Sequence, residues 1–405
     1  MAITDKKTGP WGLDQVYNKI NQGSIWQYSG ENKLFTWGQN EQGELGHNNT
    51  TDYSSPTQVG SDTNWAIVSR SSSNSSFRML ATRSDGTIWS WGENNYGGLG
   101  QNGAPGDARS SPVQVGSDTT WPTSGVEKII NKNWMGAIKT DGTLWMWGSG
   151  YYGNLAQNAA YPAGSYSSPV QVPGTTWKAL GAGGNSNFAI KTDGTMWAWG
   201  NNEGGLLGQN SPESSMVSSP VQIPGTTWSS VATGGYACAL ATKTDGTLWT
   251  WGSNQEGNSK GVLGQNNLTN YSSPVQIPGT TWATEPDKIA GGYQGSMAIR
   301  TDGTIWSWGG NYSGQLGHAN ETQYSSPTQI GSATTWDTIA AGYDSFYATK
   351  TDGTVWVWGV GSYGKLGRSS PADNPSVVPI ELPGTDWGTA QMAGGYRAGM
   401  AIKSK

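Results

Sequence analysis

The sequence predicts an all-β protein: a seven-bladed β-propeller of four-stranded blades, with the ring closed by the N- and C-terminal strands in one blade. Three observations carry this. A segment ending in Trp-Gly recurs at Trp37, Trp91, Trp147, Trp199, Trp251, Trp308 and Trp358, with a period of roughly 50–57 residues, the range of propeller blades. In six of these repeats the segment follows Asp-Gly, as in "KTDGTMWAWG" at 191–200. Asp-Gly is the strongest short hairpin signal, because a type I′ turn needs positive φ. Finally, the chain ends in "YRAGMAIKSK", the strand that normally enters that turn, and its first unit opens with "GENKLFTWG", the strand that normally leaves it. The two ends should therefore pair, leaving no open sheet edge.

Residues 1–28 belong to no repeat. Trp11, Leu13, Val16, Tyr17, Ile20, Ile25 and Trp26 make them too apolar for a solvated tail. Leu13, Val16, Tyr17 and Ile20 fall at i, i+3, i+4 and i+7, one face of a short helix. This arm is expected either to pack on its own propeller or to dock on a partner through Trp11, Leu13, Tyr17, Ile20 and Trp26. Residues 29–405 are the propeller.

Within each unit the elements follow in fixed order. The strand after Asp-Gly, "TMWAWG" in the third complete unit, is apolar on both alternating faces, so it is covered on both sides, as a sheet stacked between neighbours would be. A second word follows: "GELG" (43–46), "GGLG" (97–100), "GNLA" (153–156), "GLLG" (205–208), "GVLG" (261–264), "GQLG" (314–317) and "GKLG" (364–367). Next comes "SSP" with a short apolar strand, then a single Trp, often in "GTTW": Trp65, Trp121, Trp177, Trp228, Trp282, Trp336 and Trp387. A glycine-rich strand leads back to "AIKTDGT". Six Trp pairs, Trp37 and these seven make 20 of the 23 tryptophans. Residues placed once per repeat serve the packing between repeats, so the tryptophans are predicted to be mortar rather than a binding surface.

Composition narrows the function. Only 13% of the 405 residues are charged and the net charge is −5, which argues against nucleic acid, whose phosphates need clustered Lys and Arg. The single cysteine, Cys238, permits no internal disulfide and is expected to be a buried, inert thiol. The opening residues have no apolar core of a secretory signal, and no run approaches a membrane span. The expected location is a virion assembled in the host cytoplasm, or otherwise the cytoplasm.

No gathered catalytic set, cofactor or metal site is expected. Both histidines, His47 and His318, follow "LG", where other units hold Gln101, Gln209, Gln265 or Arg368, so this is a polar capping position. The six Asp-Gly aspartates are turn residues. Arg83, Lys139, Lys191, Lys243, Arg300, Lys350 and Lys403 stand two residues before the turn position and are expected to alternate with those aspartates on a neutralised, solvated rim. "GSGYYG" (148–153) and "GVGSYG" (359–364) match a dinucleotide fingerprint but open no helix, the context it requires. What remains is the variable loops before "SSP", rich in Ser, Asn, Gly and Tyr, which suits adaptable contacts. Tyr161, Tyr166, Asn270, Tyr271 and Tyr324 are the candidate recognition residues for a host-surface protein or glycan.

The repeated "DGT-W-WG", "G-LG", "SSPVQV" and "AGGY" words resemble the family named for the regulator of chromosome condensation, over about residues 30–405. The resemblance implies the seven-bladed fold but not one function, since the family includes an exchange factor, a photoreceptor and a β-lactamase inhibitor. Where family members often carry His in the glycine-rich strand, this chain has Tyr236, Tyr293, Tyr343 and Tyr396; the photoreceptor's Trp-Arg-His-Thr word and a basic tail are absent. The leader is similar to short openings of structural proteins in tailed phages. The expected function is therefore a non-enzymatic virion component, bound to other assembly proteins by its arm and decorating a capsid or tail or contacting a host. The alternative is a regulatory protein-binding propeller, either a small-GTPase exchange factor or a protein inhibitor.

Overall fold

The computed structural model describes residues 31–69, 77–159, 164–211, 215–234, 238–256, 259–369, 375–383, 387 and 391–404. Seven antiparallel four-stranded sheets stand around one axis. Blades 1 to 6 run in chain order over 65–114, 129–171, 177–223, 228–277, 289–329 and 336–381. Blade 7 takes its two inner strands, Gln391–Gly394 and Ala398–Ser404, from the end of the chain and its two outer strands, Asn32–Gly38 and Tyr53–Gln58, from the beginning. Asn32 pairs with Ser404 and the register runs unbroken to Gly38 opposite Ala398. The predicted closure is thus a continuous ladder. The N-terminal arm and its five candidate docking residues lie outside the described residues.

The core is not central. It is divided into seven hydrophobic clusters, one in each seam between neighbouring blades. The second Trp of every pair is fully buried in a seam. Its indole N–H donates to the loop of the preceding blade: Trp91 to the Glu44 carbonyl at 2.8 Å, Trp199 to Asn154 at 2.8 Å, Trp251 to Leu206 at 2.7 Å, Trp308 to Val262 at 2.9 Å, Trp358 to Gln315 at 3.0 Å and Trp37 to Lys365 at 2.8 Å. The acceptor is each time the second residue of the "G-LG" word. The last residue of that word lies against the same indole at positive φ, and it is glycine in every unit but one, where Ala156 takes the place at φ +57°. At Gly100, with φ +69°, a Cβ would stand 2.5 Å from Trp147 Nε1. The seam between blades 1 and 2 is the exception. There the fully buried guanidinium of Arg78 comes up against Gly98, and the Trp147 N–H finds no acceptor among the described residues.

The single Trp of each repeat meets the Trp pair edge to face. Trp228 lies 6.2 Å from Trp249 and 6.1 Å from Trp251, and Trp282 lies 6.2 Å from Trp306 and 6.4 Å from Trp308. The tryptophans are therefore mortar, as predicted. The proline of "SSP" is explained as well. It sits on the outer edge strand, beside the register shift opposite the second Trp, as between Thr36 and Gly38 in blade 7. An edge bulge is where a residue without an N–H is tolerated.

Candidate functional site

Strand parity assigns every loop to one of two faces. The Gly after the second Trp pairs with the first residue of the adjoining strand, Gly92 with Arg78 and Gly148 with Trp134. The "AGGY" loops, the segments after Trp-Gly and the starts of the outer strands therefore share one face, the loop face. The Asp-Gly turns and single tryptophans share the other, the turn face.

On the turn face the same contacts repeat. In blade 3, Asp193 accepts hydrogen bonds from the Thr195 N–H at 2.9 Å and hydroxyl at 2.7 Å, and Trp197 Nε1 donates to that hydroxyl at 3.0 Å. Lys191 Nζ lies 4.8 Å from the Trp177 ring and 4.5 Å from the Trp197 ring. The arrangement recurs in blades 1 to 6, and in blade 7 Lys403 lies over Trp387. Hydrogen bonds from the threonine hold these carboxyls below the usual carboxylate range. The rim is solvated as expected, with its six aspartates exposed, and the structure adds a contact the sequence did not show. In blades 1 to 6 each cation is held over two aromatic rings, attracted by their quadrupoles, and in blade 7 Lys403 over one.

The loop face is irregular. Over blades 5, 6, 7 and 1, Tyr293, Tyr343, Tyr396 and Phe77 form an arc around the axis. Tyr293 stacks on Tyr343 at 4.2 Å, Tyr343 meets Tyr396 at 4.9 Å, and Tyr396 meets Phe77 at 6.0 Å. The loops carrying them are stitched together by Tyr293 N–H to the Tyr343 carbonyl at 2.7 Å and Tyr343 N–H to the Gly395 carbonyl at 3.3 Å. So close an approach excludes side chains behind the arc; a Cβ on Gly394 would stand 2.5 Å from Gly342 N. Arg397 reaches over Tyr363 at 4.4 Å and Tyr396 at 4.8 Å, and donates to Gln39 Oε1 at 2.8 Å. All four arc rings are half-buried, while Tyr363 is 41% exposed.

Burial raises the Tyr343 hydroxyl above its ordinary value, helped by its hydrogen bond to Tyr293. Asp344 beside it is pushed up to about 6 by burial, partly offset by Lys365, and its Oδ1 has no partner among the described residues. Burial also lowers Lys132 to about 7 and raises Glu44 to about 7. Perturbed groups of this kind concentrate at functional sites.

The sequence candidates fall on the same face but apart from the arc. Tyr166, Tyr271 and Tyr324 are half-buried first residues of outer strands. The Tyr271 and Tyr324 hydroxyls accept from Asn267 at 3.0 Å and Asn320 at 3.3 Å. Asn270 is exposed, and its Oδ1 accepts from Asn254 N at 2.8 Å. Tyr161 and Tyr236 lie outside the described residues. His47 and His318 cap as predicted, with Nε2 at 3.0 Å from the Thr36 and Ser307 hydroxyls, and Cys238 is buried. Sequence reasoning missed the arc. Its signal was there in the tyrosines that replace histidine, but Phe77 and Arg397 carry no motif. Among the described residues no group of three metal-ligating side chains is assembled, and no helix is long and apolar enough to cross a membrane.

One face of the ring repeats the same Trp, cation and Asp-Gly contacts, and the other is an irregular aromatic surface, the form of a binding scaffold. The chain belongs to the RCC1-like family, whose domain matches residues 33–401. It is 25% identical to the ultraviolet-B receptor UVR8 of Arabidopsis thaliana over 73% of this chain and 65% of that protein. It is 30% identical to the human E3 ubiquitin-protein ligase HERC2 over 43% of this chain and 4% of HERC2. The chain thus spans less than two thirds of the length of both relatives. In fold it is similar to Prp20p of Saccharomyces cerevisiae, with a TM-score of 0.76 at 18% identity over 93% of this chain and 92% of that one. Human WBSCR16 superposes with a TM-score of 0.74 at 17% identity over 92% and 99%. None of these relatives is a virion protein. They favour the alternative expectation, a regulatory protein-binding propeller, over the virion component.

Proposed function

We propose that this chain is a non-enzymatic propeller that binds a regulatory protein partner through the arc Tyr293–Tyr343–Tyr396–Phe77 and Arg397. The observation that carries this reading is the arc itself: contiguous aromatic rings from four blades, with a guanidinium laid across one end. Tyr and Arg are the residues over-represented where binding energy concentrates, and two-torsion rings lose little entropy on contact. Prp20p of Saccharomyces cerevisiae binds Gsp1p and histones, a precedent for protein partners on this fold. The acidic balance of the present chain favours a partner with a basic or neutral surface.

The test is quantitative affinity capture from extracts of the native host. Wild type, Tyr343→Ala and, from the opposite face, Lys243→Gln are compared. A partner held by wild type and Lys243→Gln and lost from Tyr343→Ala is expected. Equal retention of every captured protein by Tyr343→Ala refutes the assignment.

A further inference from the structure

Blades 2 and 3 contribute no ring to the arc, and blade 1 contributes only Phe77. Their loops instead enclose a separate cleft of about 240 Å³, whose walls include Tyr96, Tyr151, Tyr152, Asn133, Asn154 and Asn185, and no acidic or basic side chain lines it. We propose that this cleft binds one residue of a neutral saccharide.

The walls are fixed from behind. Asn154 Nδ2 donates to the Asn185 carbonyl at 2.8 Å, and its Oδ1 accepts from Tyr152 N–H at 3.0 Å. Trp134 Nε1 donates to Asn187 Oδ1 at 2.6 Å, and Asn187 Nδ2 donates to the Asn154 carbonyl at 2.9 Å. Binding therefore costs little ordering of the protein. The mouth is different. Tyr96 is 54% exposed and Tyr151 45% exposed, and the half-buried Asn185 amide has no side-chain partner among the described residues.

Tyr96 also sits at φ +57°, in a turn that blade 3 fills with Gly204 at φ +62° and blade 6 with Tyr363 at φ +61°. A tyrosine there carries a backbone cost that glycine does not. The chemistry of this wall selects its ligand. An uncharged lining gives no site for phosphate, carboxylate or amine. Amides offer both donors and acceptors to vicinal hydroxyls. The negative faces of the tyrosine rings suit the partly positive C–H faces of a pyranose. The volume lies below the ~300–1,000 Å³ of drug-sized sites, room for a single ring rather than an extended peptide.

The experiment is saturation-transfer NMR on the whole chain with millimolar methyl glycosides of glucose, galactose, mannose and N-acetylglucosamine and their short oligomers. Sialyllactose serves as the charged probe and a proline-rich peptide as competitor. At least one neutral sugar should bind. Tyr151→Ala should weaken it by about tenfold or more, the loss expected of a central aromatic contact, and Tyr151→Phe should retain it. Tyr96→Gly should raise the melting temperature while weakening the sugar. Tyr343→Ala should leave sugar binding intact, which separates this site from the arc. The inference falls if no neutral sugar binds, if sialyllactose binds better than its neutral counterpart, if Tyr151→Ala has no effect, or if the peptide displaces the sugar and binds more tightly.

Discussion

At the turn face, Asp, Thr, Trp rings and a cation meet in the same geometry in blades 1 to 6. At the loop face the corresponding segments hold Tyr96, Tyr151, Tyr312 or Tyr363 in some blades, and Glu41, Glu203 or Asn254 in others. The electrostatics divide the same way. Turn-face aspartates are held below their ordinary pKa by hydrogen bonds, so ionisation favours the fold. Loop-face Glu44, Lys132 and Asp344 are shifted by burial against their charged forms, so ionisation opposes it. The titratable groups of one face thus add to stability while those of the other oppose it, although the single tryptophans of the turn face also bury indole N–H groups with no partner among the described residues. Proteins tolerate such costs where they bind other molecules.

The seams common to both faces should give the largest effect. Trp251→Ala removes a fully buried indole and its 2.7 Å hydrogen bond to Leu206, and should cost about 3–5 kcal/mol in denaturant titration. Gly100→Ala sets a methyl against Trp147 at a positive φ, with an expected loss of about 3 kcal/mol from overpacking and backbone strain together. A smaller loss would show that this seam, whose indole lacks an acceptor, yields more easily than the rest.

Glu44→Gln tests the loop-face cost. Its folded pKa of about 7 lies above its unfolded value near 4.5. Stability should therefore be unaffected by this carboxyl below pH 4.5, fall as pH rises from there to 7, and stay low above. The variant should match wild type at pH 4 and exceed it at pH 8 by on the order of 2 kcal/mol. Equal stability at both pH values would erase the contrast between faces. Smallest of all, Lys243→Gln removes a cation lying 4.2 Å from the Trp249 ring. It should cost about 0.5–1 kcal/mol and leave partner capture unchanged; a loss of capture would move the recognition surface to the turn face.

The ring and its seams were legible because their signals are periodic. Trp199 and Trp251 announce themselves by recurring, and the pairing of Asn32 with Ser404 follows from which half of a hairpin stands at each end. The predicted solvated rim was right about exposure but incomplete, for an identifiable reason. Position told where Lys191 stands but not that its flexible stem would fold its charge over Trp177 and Trp197. The arc escaped because Phe77 and Tyr396 are more than three hundred residues apart in the sequence, and only Tyr396 belongs to a repeated word.

By itself, the sequence determined the strand count, the hairpin turns, the buried tryptophans and the strand that closes the ring. Each depends on local alternation, turn chemistry or a residue placed once per repeat. Only the tertiary structure decided which side chains meet: the cations on their indoles, the four rings of the arc, and the tyrosine and asparagine walls of the cleft. Those contacts join different blades, and their geometry exists only once the seven sheets have packed and the first strand has met the last.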